Sequence, residues 1–401
     1  DANLDINEVT EIFVRINSQG KRLNESDFAM SKIAANTENG GNLLRKVIDY
    51  FCHLSVDAVF YESLKDSDAE FMNSEYAAKI AWIKNFSQNI YKPDYVDMLR
   101  VSFMEAFQRG KLKDLVSLLS GRDFVKRTFD SAIVEESFKN LRAGVEKFIN
   151  EYNFRQFVLA IQSAGFISDK LLTSKMTLDF AYTLYLILHD VADIPKIEIK
   201  RFVQKWFVLS TLTGRYISSP ESQMDRDLRE IAAKGFKTFF AENEAALLSD
   251  TFWSVRLVQN FETTSVTSPY FSVYLAAQIF SADKALFSNA VKVSDLILSG
   301  GDIHHIFPKE YLKSNGIADR HKYNQIANYA YLDTTVNIII GKKSPQEYFG
   351  EMTAWENFSQ NLEANSVPPS IVNQTYMDYE EFLIKRRRLM ADKIKRYYRE
   401  L

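Results

Sequence analysis

Two adjacent histidines and two asparagines farther along the chain are the residues best able to do chemistry. His304 and His305 are neighbours, and Asn328 and Asn337 follow, nine residues apart. Adjacent residues on an extended segment point to opposite faces, so one imidazole can face a metal ion while the other faces a water molecule. Imidazole titrates at about pH 6.5 and is a competent general base at neutral pH. The pattern indicates hydrolysis of a phosphodiester.

The second asparagine and the lysines after it suit the same reaction. An asparagine oxygen on a facing helix is a ligand for a hard cation. Such a cation stabilises the charge that develops between a scissile phosphate and its leaving oxygen. Lys342 and Lys343 lie just beyond Asn337, where an ammonium group can neutralise a neighbouring phosphate. Asp302 shares a strand face with His304 and is an alternative ligand.

Short elements are predicted to hold these residues in place. The histidines lie on one strand, and Ala327–Leu332 is predicted to form a second, aromatic strand. Asp333 can cap a short helix over 334–340, which would carry the second asparagine. Ser344 opens a capping box with proline at the first helical position, so another helix follows. Tyr379–Leu401 is predicted to form a basic helix.

The rest of the chain is predicted to be mainly helical. Its 401 residues include only 14 Gly and 8 Pro, far fewer than the roughly 12% that these two residues usually contribute. Such a composition argues against an all-β fold. A helix is predicted to start near Asn24–Asp27, and apolar residues then recur at helical spacing to about residue 285, as in Phe154–Ile161. Gly110 and Gly214–Gln223 are predicted to connect helices.

The histidine and asparagine pattern also resembles a known family. The segment from His304 to Pro308, His-His-Ile-Phe-Pro, followed by the two asparagines, is similar to the HNH, or ββα-metal, nuclease motif. The longer segments Ile-Ala-Asn-Tyr-Ala-Tyr-Leu-Asp-Thr-Thr-Val-Asn, which ends at Asn337, and Lys-Lys-Ser-Pro-Gln-Glu-Tyr, which ends at Tyr348, are more specific. They resemble the C-terminal nuclease domain of GmrSD-type modification-dependent restriction endonucleases.

This resemblance implies a role for each residue of the motif. His305 is the general base, and His304 and Asn337 occupy the two metal positions. Asn328 holds the loop that orients His305. Many relatives carry Asp where this chain has His304, and an imidazole at that position also suits softer ions. The expected ion is Mg²⁺, with Mn²⁺, Ni²⁺ or Zn²⁺ as alternatives.

The basic residue that usually follows the last asparagine of the motif is displaced in this chain. The resemblance assigns its catalytic role to Lys343 and a DNA contact to Lys342. Farther along, Arg386, Arg387 and Arg388 can contact DNA phosphates beside the nuclease. The alternative is a packed helix with a solvated basic face. His321, between the two halves of the motif, is either a DNA contact or a solvated loop residue.

A second resemblance lies near the start of the sequence. Phe-Val-Arg-Ile-Asn-Ser-Gln-Gly-Lys-Arg-Leu, from Phe13 to Leu23, is similar to an element of the ParB-like N-terminal domain of the same family, which is associated with nucleotide binding and hydrolysis. The resemblance implies that Arg15, Asn17 and Gly20 serve a nucleotide site, although Gly20 can also simply end a helix. The family's upstream Asp-Gly-Gln-Gln-Arg segment is absent. We therefore expect most of that domain to be missing, and a nucleoside triphosphate to act only in the intact protein.

These inferences predict a mainly α protein with a helical middle region and a small C-terminal ββα-metal (HNH) nuclease domain. The predicted remnant of the ParB-like domain covers residues 1–35. The helical domain covers 36–285. The nuclease domain covers 286–401 and includes the basic helix.

The expected function is that of a metal-dependent endonuclease, a hydrolase that cuts DNA in a restriction system directed against foreign or base-modified DNA. The alternative is a non-catalytic DNA- or partner-binding scaffold with a decayed nuclease fold. Cys52 is the only cysteine, which excludes an intrachain disulfide and favours the cytoplasm. No apolar run is long enough to span a membrane, and a homo-oligomer stays an open alternative. The net charge of −3 means that any DNA-binding surface must be a local patch.

Overall fold

The computed structural model describes residues 24–353 and 356–401. This part of the chain is mainly helical, which confirms the prediction of a mainly α protein. Its two strands are β1, Asp302–His305, and β2, Tyr329–Leu332, and they pair antiparallel. Within the described ranges, none of the helices combines the length and the apolar character that crossing a membrane requires.

Helices account for most of the remaining described residues. Before residue 250 their bounds are Glu25–Ala35, Gly41–Val56, Phe60–Ser67, Ala69–Met72, Glu75–Ile80, Tyr95–Phe107, Leu112–Leu118, Ser131–Ile149, Glu151–Ser163, Lys175–His189, Lys196–Thr213, Pro220–Lys234 and Phe236–Leu247. After residue 250 they are Leu257–Asn260, Pro269–Phe280, Val293–Ser299, Lys309–Ser314, Arg320–Tyr323, Thr334–Ile340, Pro345–Met352, Phe358–Ala364 and Tyr379–Glu400. Short 3-10 segments lie at Ala81–Asn85, Asp169–Leu171, Ile326–Asn328, Pro369–Asn373 and Tyr376–Asp378, and a π-helical turn spans Phe252–Arg256.

Capping side chains begin several helices where the sequence predicts them. Asn24 caps the helix that starts at the next residue. Asp333 caps Thr334–Ile340, whose bounds are those predicted. Ser344 and Glu347 form the predicted capping box, with each side chain bonded to the other's backbone N–H. In each case the side-chain oxygen satisfies a backbone N–H that the first turn of a helix leaves without a partner.

The chain forms two compact units, and both are built from separated stretches of sequence. The first unit contains the described residues up to Leu159, Ser174–Val203 and Gly214–Phe239. The second contains Ala160–Thr173, Gln204–Thr213 and Phe240–Leu401. This division differs from the predicted boundaries after residues 35 and 285, because several helical segments before residue 285 pack with the C-terminal part. Of the predicted segment 1–35, residues 1–23 lie outside the described residues.

The first unit contains an aromatic core and a buried contact between Asp179 and Arg100. The ring of Phe51 packs edge-on against Phe148 and Phe154, with centroids 5.8 and 5.5 Å away. Asp179 is fully buried and accepts hydrogen bonds from Arg100 Nη1 at 2.8 Å and from the Tyr91 hydroxyl at 2.9 Å. Burial raises the pKa of Asp179 to about 7, which outweighs the opposing effect of Arg100. This carboxylate is therefore retained at a cost in desolvation.

The helix Tyr379–Glu400 is the central element of the second unit. Phe382 is fully buried, and its ring packs against Phe307 with centroids 4.9 Å apart. Tyr397 donates from its hydroxyl to the Ala164 carbonyl at 2.6 Å. Phe307 belongs to the loop that follows β1, so this helix supports the loop next to the two histidines.

Candidate functional site

The antiparallel pairing of β1 with β2 places the two histidines beside the second half of the motif. In the register, His304 is opposite Ala330 and His305 is opposite Tyr329. The Ile306 N–H then continues the pairing by donating to the Asn328 carbonyl at 2.8 Å. The strand order predicted from the sequence is therefore present.

His304 and Asn337 meet although they are 33 residues apart in sequence. His304 Nδ1 lies 2.5 Å from Asn337 Oδ1. Asn337 reaches this position because Asp333 starts its helix directly after β2. The structure thus brings together the two residues assigned to metal binding.

The environment of His304 keeps its imidazole neutral. The side chain is 5% exposed, and burial lowers its pKa to about 4, an effect that the bond to Asn337 only partly offsets. Among the described residues, its Nε2 atom is buried without a hydrogen-bond partner. A neutral imidazole is the form that binds a metal ion.

His305 is half-buried, and Asn324 fixes the orientation of its ring. His305 Nε2 lies 2.9 Å from Asn324 Oδ1, which accepts the hydrogen bond when Nε2 carries the proton. In that tautomer Nδ1 keeps its lone pair. Burial lowers the pKa of His305 more than the bond to Asn324 raises it, so the ring is a base at neutral pH. The Tyr329 ring packs edge-on against it at 5.0 Å.

Asn328 holds together two backbone segments that follow the histidine strand. It is fully buried, and its Oδ1 accepts from the Phe307 N–H at 2.8 Å. Its Nδ2 donates to the carbonyl oxygens of Phe307 and Tyr323 at 3.1 and 3.2 Å. Because Tyr323 is next to Asn324, Asn328 fixes both the loop after His305 and the residue that orients the ring.

The two lysines after Asn337 lie at the surface. Lys343 forms an ion pair with Glu351, with Nζ to Oε2 2.8 Å. Lys342 is exposed. An exposed pair of this kind contributes little to stability, so Lys343 can exchange Glu351 for a phosphate at small cost.

The three arginines predicted to contact DNA do not share one environment, which corrects that part of the prediction. Arg386 is 1% exposed, and its guanidinium donates to the carbonyl oxygens of Ala327 and Asn365 at 2.8 and 3.3 Å. Arg387 is 8% exposed and forms an ion pair of 2.6 Å with a surface glutamate. Arg388 is exposed. The first two arginines are structural residues of the unit, and only the third presents its side chain to solvent.

The structure adds less about the other residues singled out in the sequence. Arg15, Asn17 and Gly20 lie outside the described residues. His321 is exposed, and its N–H is capped by the Asp319 carboxylate. Asn324 was not predicted from the sequence. Its role depends on its contact with the His305 ring in the folded chain, and no sequence spacing indicates that contact.

His304 and Asn337 carry two atoms of the kinds that can bind a divalent ion. Asn337 Oδ1 accepts the hydrogen bond from His304 Nδ1–H, and a divalent ion would replace this hydrogen bond, because both atom types bind divalent ions. Among the described residues, no group of three or more His, Cys, Asp and Glu side chains could hold an ion alone. A divalent ion held by His304 and Asn337 would therefore need further ligands from outside this pair.

Comparison with known proteins identifies a distant relative. The chain is 25% identical over 285 residues to "Uncharacterized protein MJ0686" of Methanocaldococcus jannaschii. The alignment covers 68% of this chain and 44% of that protein, so the chain spans less than half the length of the relative it matches. No protein-family model and no solved structure matches the chain. The similarity therefore carries no statement of function.

Proposed function

We propose that the chain is a metal-dependent endonuclease of the HNH type that hydrolyses DNA phosphodiesters. The observation that carries this proposal is the meeting of His304 Nδ1 and Asn337 Oδ1 at 2.5 Å, on a strand that also bears His305. A strand pair followed directly by a helix supports the same assignment. The resemblance described from the sequence supplies the substrate class and a role in restricting foreign or base-modified DNA.

In this proposal, His304 and Asn337 hold a divalent ion, with Mg²⁺ expected. The bound ion would stabilise negative charge on the phosphate and on the leaving oxygen. Both side chains are neutral, because burial keeps His304 unprotonated. The site therefore adds no negative charge that would repel a phosphate.

His305 acts as the general base of the proposed reaction. Its Nε2–H is engaged by Asn324, so Nδ1 accepts the proton of the attacking water. The water oxygen forms a bond to phosphorus while the bond from phosphorus to O3′ breaks. The leaving O3′ takes a proton from solvent, and the products carry a 5′-phosphate and a 3′-hydroxyl. A positioned general base contributes about 10²–10⁴-fold to such a rate.

Plasmid nicking tests the proposal. Supercoiled plasmid is incubated with the 401-residue chain and Mg²⁺, Mn²⁺, Ni²⁺ or Zn²⁺ in turn. The parent is compared with His305→Ala, Asn337→Ala and Lys343→Ala. His53→Ala is the matched control, because His53 is an exposed histidine of the first unit and has no assigned role in the site. DNA binding by each variant is measured in EDTA, so that a loss of binding is separated from a loss of cleavage.

We expect the parent and His53→Ala to nick equally, and His305→Ala and Asn337→Ala to lose nicking by at least about 10²-fold. Equal nicking by the parent and His305→Ala would reveal a contaminating nuclease and contradict the proposal. Binding without cleavage with every metal would favour the non-catalytic scaffold instead.

A further inference from the structure

A loop in the first unit, residues 121–130, is held in one conformation by its own hydrogen bonds. Asp123 donates from its N–H to the Thr128 carbonyl at 2.9 Å. The Asp123 carboxylate accepts from the backbone N–H groups of Val125 and Lys126 at 2.7 and 2.9 Å. An isolated antiparallel bridge closes the base of the loop. The backbone of the tip is therefore organised before any partner binds.

Apolar side chains project from this loop into solvent. Val125 is 92% exposed, and Phe129 is 65% exposed. A guanidinium lies near each phenylalanine ring of the loop. Arg122 is 5.5 Å from the Phe129 centroid, and Arg109 is 4.4 Å from the Phe124 centroid. The rings are thus oriented by cations, while most of the Phe129 surface stays open to a partner.

The loop also carries two exposed cations. Between residues 121 and 130 the loop has three Lys and Arg residues and two Asp residues, a net charge of +1 in a chain of net charge −3. Asp114 is paired with Arg109 at 3.2 Å, and Asp123 is engaged by the loop backbone. Lys126 and Arg127 are exposed, and in the described part of the chain they form no ion pair. The exposed ring and two unpaired cations therefore occupy one short, rigid segment.

We propose that this loop binds single-stranded DNA, with a base stacked on Phe129 and phosphates bound by Lys126 and Arg127. Each base has a π-face and each nucleotide has a phosphate, so an aromatic ring beside cations binds a single strand without reading its sequence. A duplex hides its base faces in the stack and fits this loop less well. The proposal rests on the proposed DNA substrate and adds a second contact for it, separate from the histidine strand.

Fluorescence anisotropy with a labelled single-stranded oligodeoxynucleotide of about 20 nucleotides tests the proposal. The titration is made in EDTA with the 401-residue chain, so that binding does not depend on cleavage. The variants are Phe129→Ala and the double variant Lys126→Gln/Arg127→Gln. The matched control is Ile197→Ala/Lys200→Gln, which removes an exposed apolar side chain and an exposed cation elsewhere in the first unit. For comparison, binding is also measured to the duplex form of the same oligodeoxynucleotide and to vesicles of phosphatidylserine with phosphatidylcholine.

We expect Phe129→Ala to weaken single-strand binding by about 5- to 100-fold, the effect of losing one stacked base. The double variant should weaken binding and reduce the dependence of log K on log salt by about 1.4, since each phosphate contact to a single strand contributes roughly 0.7. The control variant should bind as the parent does.

Three results would overturn this inference. The first is a parent that does not bind the single strand. The second is unchanged binding by Phe129→Ala, which would leave only a diffuse charge effect. The third is a loss confined to vesicle binding, which would assign the loop to an anionic membrane surface. Failure of His305→Ala to affect nicking would contradict the proposed nuclease but leave these binding results intact.

Discussion

Exchanging one atom of Asn328 is a sharp test of how the histidine strand is held. Asn328→Asp keeps the shape of the side chain and the oxygen that accepts from the Phe307 N–H. It replaces the nitrogen that donates to the carbonyl oxygens of Phe307 and Tyr323. Two buried carbonyl groups then lose their donor and face a carboxylate oxygen.

The expected cost follows from these contacts. A buried acceptor left without its partner costs about 1–3 kcal/mol. With two such carbonyl groups, we expect Asn328→Asp to lower the free energy of unfolding by about 3–5 kcal/mol at about pH 8. The carbonyl oxygens disfavour the charged form, so the pKa of the new carboxyl lies above its ordinary value. The folded variant then binds more protons than its unfolded chain, and its stability falls as the pH rises. The loss should therefore be smaller at about pH 5.

Urea unfolding of the parent and the variant at both pH values measures this cost. Asn289→Asp is the control, because Asn289 is exposed and its exchange should change the free energy of unfolding by less than about 0.5 kcal/mol. Hydrogen exchange at the Phe307 amide gives a local readout, and faster exchange is expected in Asn328→Asp. A loss below about 1 kcal/mol at the higher pH, or an equal loss at both pH values, would refute the reasoning.

Two further outcomes depend on buried contacts. Asn324→Ala removes the acceptor for His305 Nε2, so cleavage of plasmid should slow at least about tenfold. Asn324→Asp keeps an acceptor and should recover most of that loss. Equal cleavage rates for the two variants would exclude a positioning role for Asn324. Burial raises the pKa of Asp179 to about 7. The contribution of Asp179 to the free energy of unfolding is therefore complete below the pKa that it has in the unfolded chain, and it is lost as the pH rises through 7. The free energy of unfolding of the parent should therefore fall, relative to that of Asp179→Asn, by up to about 4 kcal/mol between about pH 4 and pH 8. Urea unfolding of both proteins across this pH range measures the difference, and a difference that does not change with pH would contradict the expectation.

Elements set by local hydrogen bonding could be predicted from the sequence. The helix Thr334–Ile340 begins and ends where Asp333 and the following Gly341 indicate. Its position matters for the site, because the cap places Asn337 one turn into the helix, within reach of His304. The pairing of these two side chains could be anticipated from the resemblance and from the order of strands and helix.

The burial of the arginines could have been predicted from helical spacing, although it was not. Arg386 lies four residues after Phe382 and four before Met390, and all three are buried. A cluster of basic residues suggests a solvated face, but the 3.6-residue period assigns Arg386 to the apolar face of its helix. The partners that satisfy it, the carbonyl oxygens of Ala327 and Asn365, come from distant segments. No sequence pattern specifies such partners, which also explains why Asn324 was missed.

The discontinuous make-up of the second unit has a consequence for how the histidine strand can be inherited. Tyr397 bonds to Ala164 at 2.6 Å, and Ile326 bonds to Thr263 at 2.9 Å, so residues 286–401 complete their hydrogen bonding with segments encoded much earlier. A recombination event that transferred only the stretch from residue 286 onward would leave these partners behind. Recombination can therefore transfer this candidate nuclease only together with its helical scaffold. We expect the two parts to evolve together rather than to be exchanged independently.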